Sequence, residues 1–176
     1  MQQWENDKTS VEQAVQSLFD FAVEREDVKT LVGLLSEEAK CKPTAVEYEL
    51  QLLKIVATGW SISFFMAGNP CREQLAAIFW KLIHAFSADL SETTGLMTGH
   101  DIDYFQTLKD RLDVYVAALQ AKPEMREPAA VIGPEFARLC GNSDDVFTVM
   151  TGSRMFILTV ARVKDYLDSL RFDEKP

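Results

Sequence analysis

Leu50 to Ser91 reads LQLLKIVATGWSISFFMAGNPCREQLAAIFWKLIHAFSADLS, and only five of these 42 residues are charged: Lys54, Arg72, Glu73, Lys81 and Asp89. Residues 1–49 hold five basic and eleven acidic side chains and residues 92–176 hold ten and fourteen, so the acidity behind the net charge of −9 lies outside this tract, which itself carries +1. A stretch so poor in charge that also carries Trp60, Phe64, Phe65, Phe79, Trp80 and Phe86 reads as the buried centre of a fold. Gly68, Asn69 and Pro70 interrupt it with the residues of a tight reversal. Asn69 is expected as a cap and Pro70 at the first helical position, where its missing N–H costs nothing. The tract therefore predicts an antiparallel helical hairpin.

The first arm runs from about Thr44, where Thr44 and Glu47 suggest a capping box, to Ala67. Glu47, Gln51, Lys54, Thr58 and Ser61 recur at steps of three and four, which makes one thin polar stripe on an otherwise apolar helix. Such a helix must be covered on several sides. The second arm is expected to bury Leu75, Phe79, Leu82, Phe86 and Leu90, with Gln74, Lys81 and His84 on its wetter side.

Before the hairpin, Ser10 with Gln13 suggests another capping box, followed by an apolar stripe at Val11, Ala14, Val15, Leu18, Phe19 and Ala22. The stripe resumes about one residue out of phase at Val28, Leu31, Val32 and Leu35, which predicts a break near Asp27. After the hairpin, Ser91–Gly99 is expected as a loop, with Thr98 and Asp101 capping a helix that buries Phe105, Leu108, Leu112, Tyr115 and Leu119. Pro123 and Pro128 mark a loop over 121–133, and a two-turn helix is expected from Pro134 to Cys140, closed by Gly141. Asn142 to Asp145 start the last helix, with a seam at Val149, Ser153, Phe156, Val160, Val163, Leu167 and Leu170 and a bend or close contact at Gly152 and Ser153. No segment alternates as a strand does.

The expected fold is thus all-α, a single domain over 1–176 with frayed tails at about 1–9 and 172–176. Five or six helices surround the apolar hairpin at about 45–91. A chain of 176 residues is long enough for a self-sufficient core without metal or disulfide staples. Three irregularly spaced cysteines, 41, 71 and 140, fit a reducing compartment, and MQQWENDKTS has neither the basic region nor the apolar run of a secretory signal. A cytoplasmic location follows as an expectation. The acidic balance opposes nucleic-acid and anionic-lipid binding, and the uncharged run Ile55–Cys71 is too short and too broken by Gly and Pro to span a bilayer.

Catalytic signatures are sparse. His100, Asp101 and Asp103 crowd together, but successive positions at a helix start point in different directions, and capping accounts for their composition. Carboxylates at 110/113 and 165/168 are interleaved with Lys109, Arg111, Arg162 and Lys164 and read as salt-bridged surface. No metal or cofactor is expected, and phosphate-loop, dinucleotide, zinc-protease and nucleophile-elbow motifs are absent from the sequence.

Two roles follow from these readings. The first is a regulatory or adaptor-like protein that binds a protein partner or a second copy of itself, the apolar helix 44–67 being completed by the neighbour in a homodimer. The alternative is a small-ligand or enzyme pocket between the arms of the hairpin. Residues adding to about 138 face one another across the turn, so His84 falls near Lys54, with Trp60 and Trp80 enclosing the space. A reactive thiol or anion site at Cys71 and Arg72 is a further candidate, because free N–H groups at a helix start and a guanidinium favour negative charge.

Overall fold

The computed structural model describes residues 9–172, so the expected tails at 1–8 and 173–176 lie outside the described residues. Thr9 and Phe172, by contrast, are placed: the Thr9 N–H donates to the Arg171 carbonyl at 3.1 Å and Phe172 packs on the core. The described residues contain seven helices and no strand. These are α1 (Val11–Val23), α2 (Glu26–Gly33), α3 (Pro43–Phe65), α4 (Arg72–Thr98), α5 (Tyr104–Gln120), α6 (Ala129–Leu139) and α7 (Val146–Ser169). With α1 and α2 counted as one broken helix, six elements remain.

Helix α1 starts as its sequence predicts, with the Ser10 hydroxyl accepting the Gln13 N–H and the Gln13 side chain accepting the Ser10 N–H, both at 3.1 Å. The break falls at Glu24 and Arg25, two residues before the expected position, and Asp27 lies in the first turn of α2 with another task. Helix α3 begins on Pro43 and not on a Thr44–Glu47 box, since proline needs no capping partner at a first position. Glu47 instead pairs with Arg25 at 2.5 Å.

The single centre of the fold is α3. It packs against α7 most extensively and also touches α1, α2, α4, α5 and α6. Leu52 to Gly59 are all buried. Helix α4 returns along α3 but packs more on α1, with Phe86 edge-on to Phe19, and buries only the seam Leu75, Phe79, Ile83 and Ser87. Where the two arms meet, the Trp80 ring lies on Gly59 so closely that a Cβ there would be 2.3 Å from it. The expected register across the turn agrees with that contact.

Two helices are longer than their sequences suggested. Ser91 to Thr98 continue α4, because the hydroxyls of Ser91, Thr93 and Thr98 donate back to carbonyls four residues earlier and so stay satisfied inside a helix. Gly99, at φ +71°, ends it, and Asp103, not Thr98 or Asp101, caps α5 by accepting the Gln106 N–H. Helix α6 starts at Ala129 and carries Pro134 inside it. Its close packing on α7 holds it together: a Cβ on Gly133 would meet the Ser153 hydroxyl at 2.2 Å, and one on Gly152 would meet the Phe136 ring at 2.4 Å. The Ser153 hydroxyl also donates to the Ala129 carbonyl. Gly152 and Ser153 thus serve a close helix contact.

Candidate functional site

The polar stripe of α3 is not a wet edge. Lys54, Thr58 and Ser61 are wholly buried. The Lys54 ammonium donates to the Glu24 carbonyl at 2.9 Å, lies 3.3 Å from the Asp27 carboxylate and 3.8 Å from that of Glu24, and sits 4.4 Å over the Phe21 ring. Beside it, the Gln51 amide donates to the Ala22 carbonyl at 2.9 Å. These are carbonyls of the last turn of α1, which the break leaves without partners, and a cation there complements the helix dipole. Asp27 also accepts Arg162 of α7 at 2.9 Å, so one node ties α1, α2, α3 and α7 together. Its role is structural.

The proposed ligand residues are not brought together. His84 is exposed on α4 with its ring edge-on to Phe105 of α5 at 4.7 Å. Lys54 lies about 140° around α3 from Gly59, the residue that faces α4, so a correct register along the axis still leaves it on another side. Trp60 stacks on Phe64 at 4.8 Å and leans on Phe156 of α7 at 5.8 Å, whereas Trp80 covers Gly59. The gaps between helices lie elsewhere. A water-sized void of about 10 Å³ separates α3 from α5, α6 and α7, and a groove of about 170 Å³ runs between α1 and α7 past Phe21, Arg162 and Tyr166.

The turn residues Cys71 and Arg72 are half-buried and exposed, respectively. The Cys71 N–H is taken by the Asn69 side chain at 2.8 Å and the Arg72 N–H by the Asn69 carbonyl at 3.1 Å. Two of the donors an anion would need are therefore already used. Cys41 and Cys140 are buried, and burial, with the nearby Glu49 carboxylate, pushes the Cys140 thiol up. No cluster of three or more His, Cys, Asp or Glu side chains suited to a metal occurs among the described residues.

Sequence reasoning missed two anchors. The buried Glu49 of α3 receives both arms of Arg111 of α5, at 2.6 and 2.8 Å, and this bidentate bond raises the Arg111 pKa. Asp145, the residue before α7, accepts the N–H groups of Lys40 and Cys41 at 2.8 and 3.0 Å and the Thr148 hydroxyl at 2.8 Å. Burial alone would push this carboxyl up, but the hydrogen bonds outweigh it and hold it at about 2. The start of α7 is thereby fastened to the start of α3.

Leu34 of α2's end and Leu96 and Met97 of α4's end are exposed as well, but the outer face of α7 gathers five exposed large apolar side chains on one helix. Its most buried positions include the small or polar Thr148, Gly152 and Thr159, while Val146, Phe147, Met150, Ile157 and Leu158 are exposed, Val146 by 63% and Met150 by 57%. At 100° per residue these five fall on one side of the helix, with Arg154 between them. The expected seam included Val149, Ser153 and Val160, which are only half-buried, because the close approach of α6 turns Gly152 inward. Around the edge, Trp60 carries the apolar surface from Phe156 to the exposed ring of Phe64.

No family model matches this chain, nor does any curated protein or solved structure. The α7 face must be weighed on its own chemistry. Helix α7 is long and apolar enough by length and composition to cross a membrane, with a mean hydropathy of 1.3 over 18 residues, and one third of that window is buried. Its inward side is built into the packing of α3 and α6, as Phe136 on Gly152 and Trp60 on Phe156 attest.

Proposed function

We propose that this chain works as a cytoplasmic interaction protein of regulatory or adaptor type, and that the outer face of α7 is the surface that receives its protein partner. The observation that supports this reading is the row of five large apolar residues that α7 turns outward, opposite a buried side on which Thr148, Gly152 and Thr159 alternate with Met155, Phe156, Val163 and Leu167. Apolar surface concentrated on one element marks interaction sites far more often than the same residues scattered singly. The helix 44–67, expected to be completed by a second copy, is instead covered by the chain's own helices. The apolar surface left for a partner is on α7.

The test compares the wild type with Ile157→Asp and Met150→Asp, both at exposed positions, in quantitative affinity capture from a cytoplasmic extract and in sedimentation at low micromolar concentration. Under this reading, retained proteins or a self-association equilibrium are lost in both variants while circular dichroism and melting temperature stay unchanged. Identical behaviour of wild type and variants would overturn it.

A further inference from the structure

The α7 face carries a charge at its centre. Arg154 is exposed between Met150 and Thr151 one turn before it and Ile157 and Leu158 one turn after it, so none of its neighbours at three or four residues is acidic. On the same helix, Arg162 is paired with Asp27 and Lys164 with Asp168. Arg154 forms no ion pair with any of the described residues, as is also true of exposed cations such as Arg72, Lys81 and Lys122, and what sets it apart is the apolar surface around it. A guanidinium ringed by apolar side chains has the composition of an interface hot spot, in which surrounding contacts exclude water from a central polar anchor.

We propose that the occupant of this face is an amphipathic helix of another protein, with a carboxylate in the middle of its apolar side that pairs with Arg154. This inference rests on the interaction reading above and specifies the partner. The apolar row from Val146 to Ala161 extends about 22 Å along the axis, the length of a helix of roughly 15 residues, and anchors at steps of three, four and seven are how a helix is read by such a surface. A second copy of the chain fits less well. The two-fold pairing of α7 with α7 that overlaps this row most fully has its axis near residue 154 and sets two Arg154 side chains against each other. A membrane surface fits less well too: interfacial helices flank their apolar face with free Lys and Arg, whereas Arg162 and Lys164 at the end of this row are paired with Asp27 and Asp168, Asp144 and Asp165 stand beside it, and the chain has a net charge of −9. Docking removes water from around Arg154, which makes a facing carboxylate favourable and a facing cation costly.

Two synthetic 16-residue helical peptides test this, identical in their leucine-rich contact face except for Glu or Lys at its centre, titrated against the full chain by fluorescence anisotropy. The Glu peptide is expected to bind at least tenfold more tightly than the Lys peptide, Arg154→Glu to reverse that order, Arg154→Gln to level it, and Ile157→Asp to abolish both signals. Circular dichroism of each variant guards against misfolding, and Leu158→Asp serves as a second face variant. Equal affinity of the two peptides, with Ile157→Asp still abolishing binding, would overturn the carboxylate-bearing partner and leave the interaction reading standing. Binding insensitive to both Ile157→Asp and Leu158→Asp would overturn that reading as well. Failure of both peptides to bind, a dimer in sedimentation that Ile157→Asp dissolves, or face-dependent binding to phosphatidylcholine vesicles would each overturn the helical partner.

Discussion

Helices α3 and α7 are nearly equal in length, 23 and 24 residues, and place their polar side chains in opposite ways. In α3 the cation Lys54 and the carboxylate Glu49 are buried, each with partners contributed by another helix. In α7 five large apolar side chains stand in water while Thr148, Gly152 and Thr159 share the buried side with Met155, Phe156, Val163 and Leu167. The difference teaches that at these positions close helix packing and unsatisfied backbone groups decide burial alongside hydrophobicity. Polar groups enter the centre of α3 because a broken helix and a neighbouring arginine need partners there. Apolar groups stay outside on α7 because its inward side must be small enough for α6 to approach.

Variants can test how firmly the two halves of that contrast hold. The largest effect is expected from Lys54→Ala, which strips the α1 end and Asp27 of their shared cation and should destabilise the protein by roughly 3 kcal/mol or more in urea unfolding. Lys54→Met, which keeps the stem, should cost less than Lys54→Ala. Next comes Asp145→Asn, expected to cost roughly 2 kcal/mol at neutral pH because its bonds are to a charged acceptor. Since the folded carboxyl lies near 2 and the unfolded one near about 3.9, its contribution is complete above the higher value and fades as pH falls towards the lower. The stability gap between wild type and Asp145→Asn should accordingly narrow in urea titrations from pH 4 down to pH 2, and a constant gap would contradict the assignment.

Gly152→Ala tests the small inward side of α7. The added methyl has nowhere to go but into Phe136, and about 1–3 kcal/mol of destabilisation is expected by thermal or urea unfolding. The smallest effect belongs to the outward side, where Ile157→Ser should change stability by no more than about 0.5 kcal/mol. A large loss there would mean that α7's outer face is part of the fold.

Much of the architecture was legible beforehand. The charge-poor tract, the Ser10–Gln13 box, the reversal at 68–70 and the register that sets Gly59 against Trp80 are all local or nearly local signals, and they hold. The extension of α4 to Thr98 was not legible, because hydroxyl residues are written the same way whether they bond to their own helix or form a loop. The Glu49–Arg111 pair joins residues 62 apart, and Asp145 reaches back over more than a hundred, so no spacing rule finds them. The outer face of α7 had left a trace, since apolar residues in 146–161 exceed what one seam can hold.

Composition and periodicity by themselves determined that this chain is helical, where α1 and α7 begin, and that a helical hairpin reverses at 68–70, because helix propensity, capping and apolar spacing act over a few residues. Only the tertiary structure decided that α3 alone is the centre, that Lys54 closes the end of α1 and not a ligand pocket with His84, and that α7 turns Gly152 inward and Ile157 outward. Those outcomes depend on how close two helices can approach and which unsatisfied groups meet, quantities that exist only once the helices are packed.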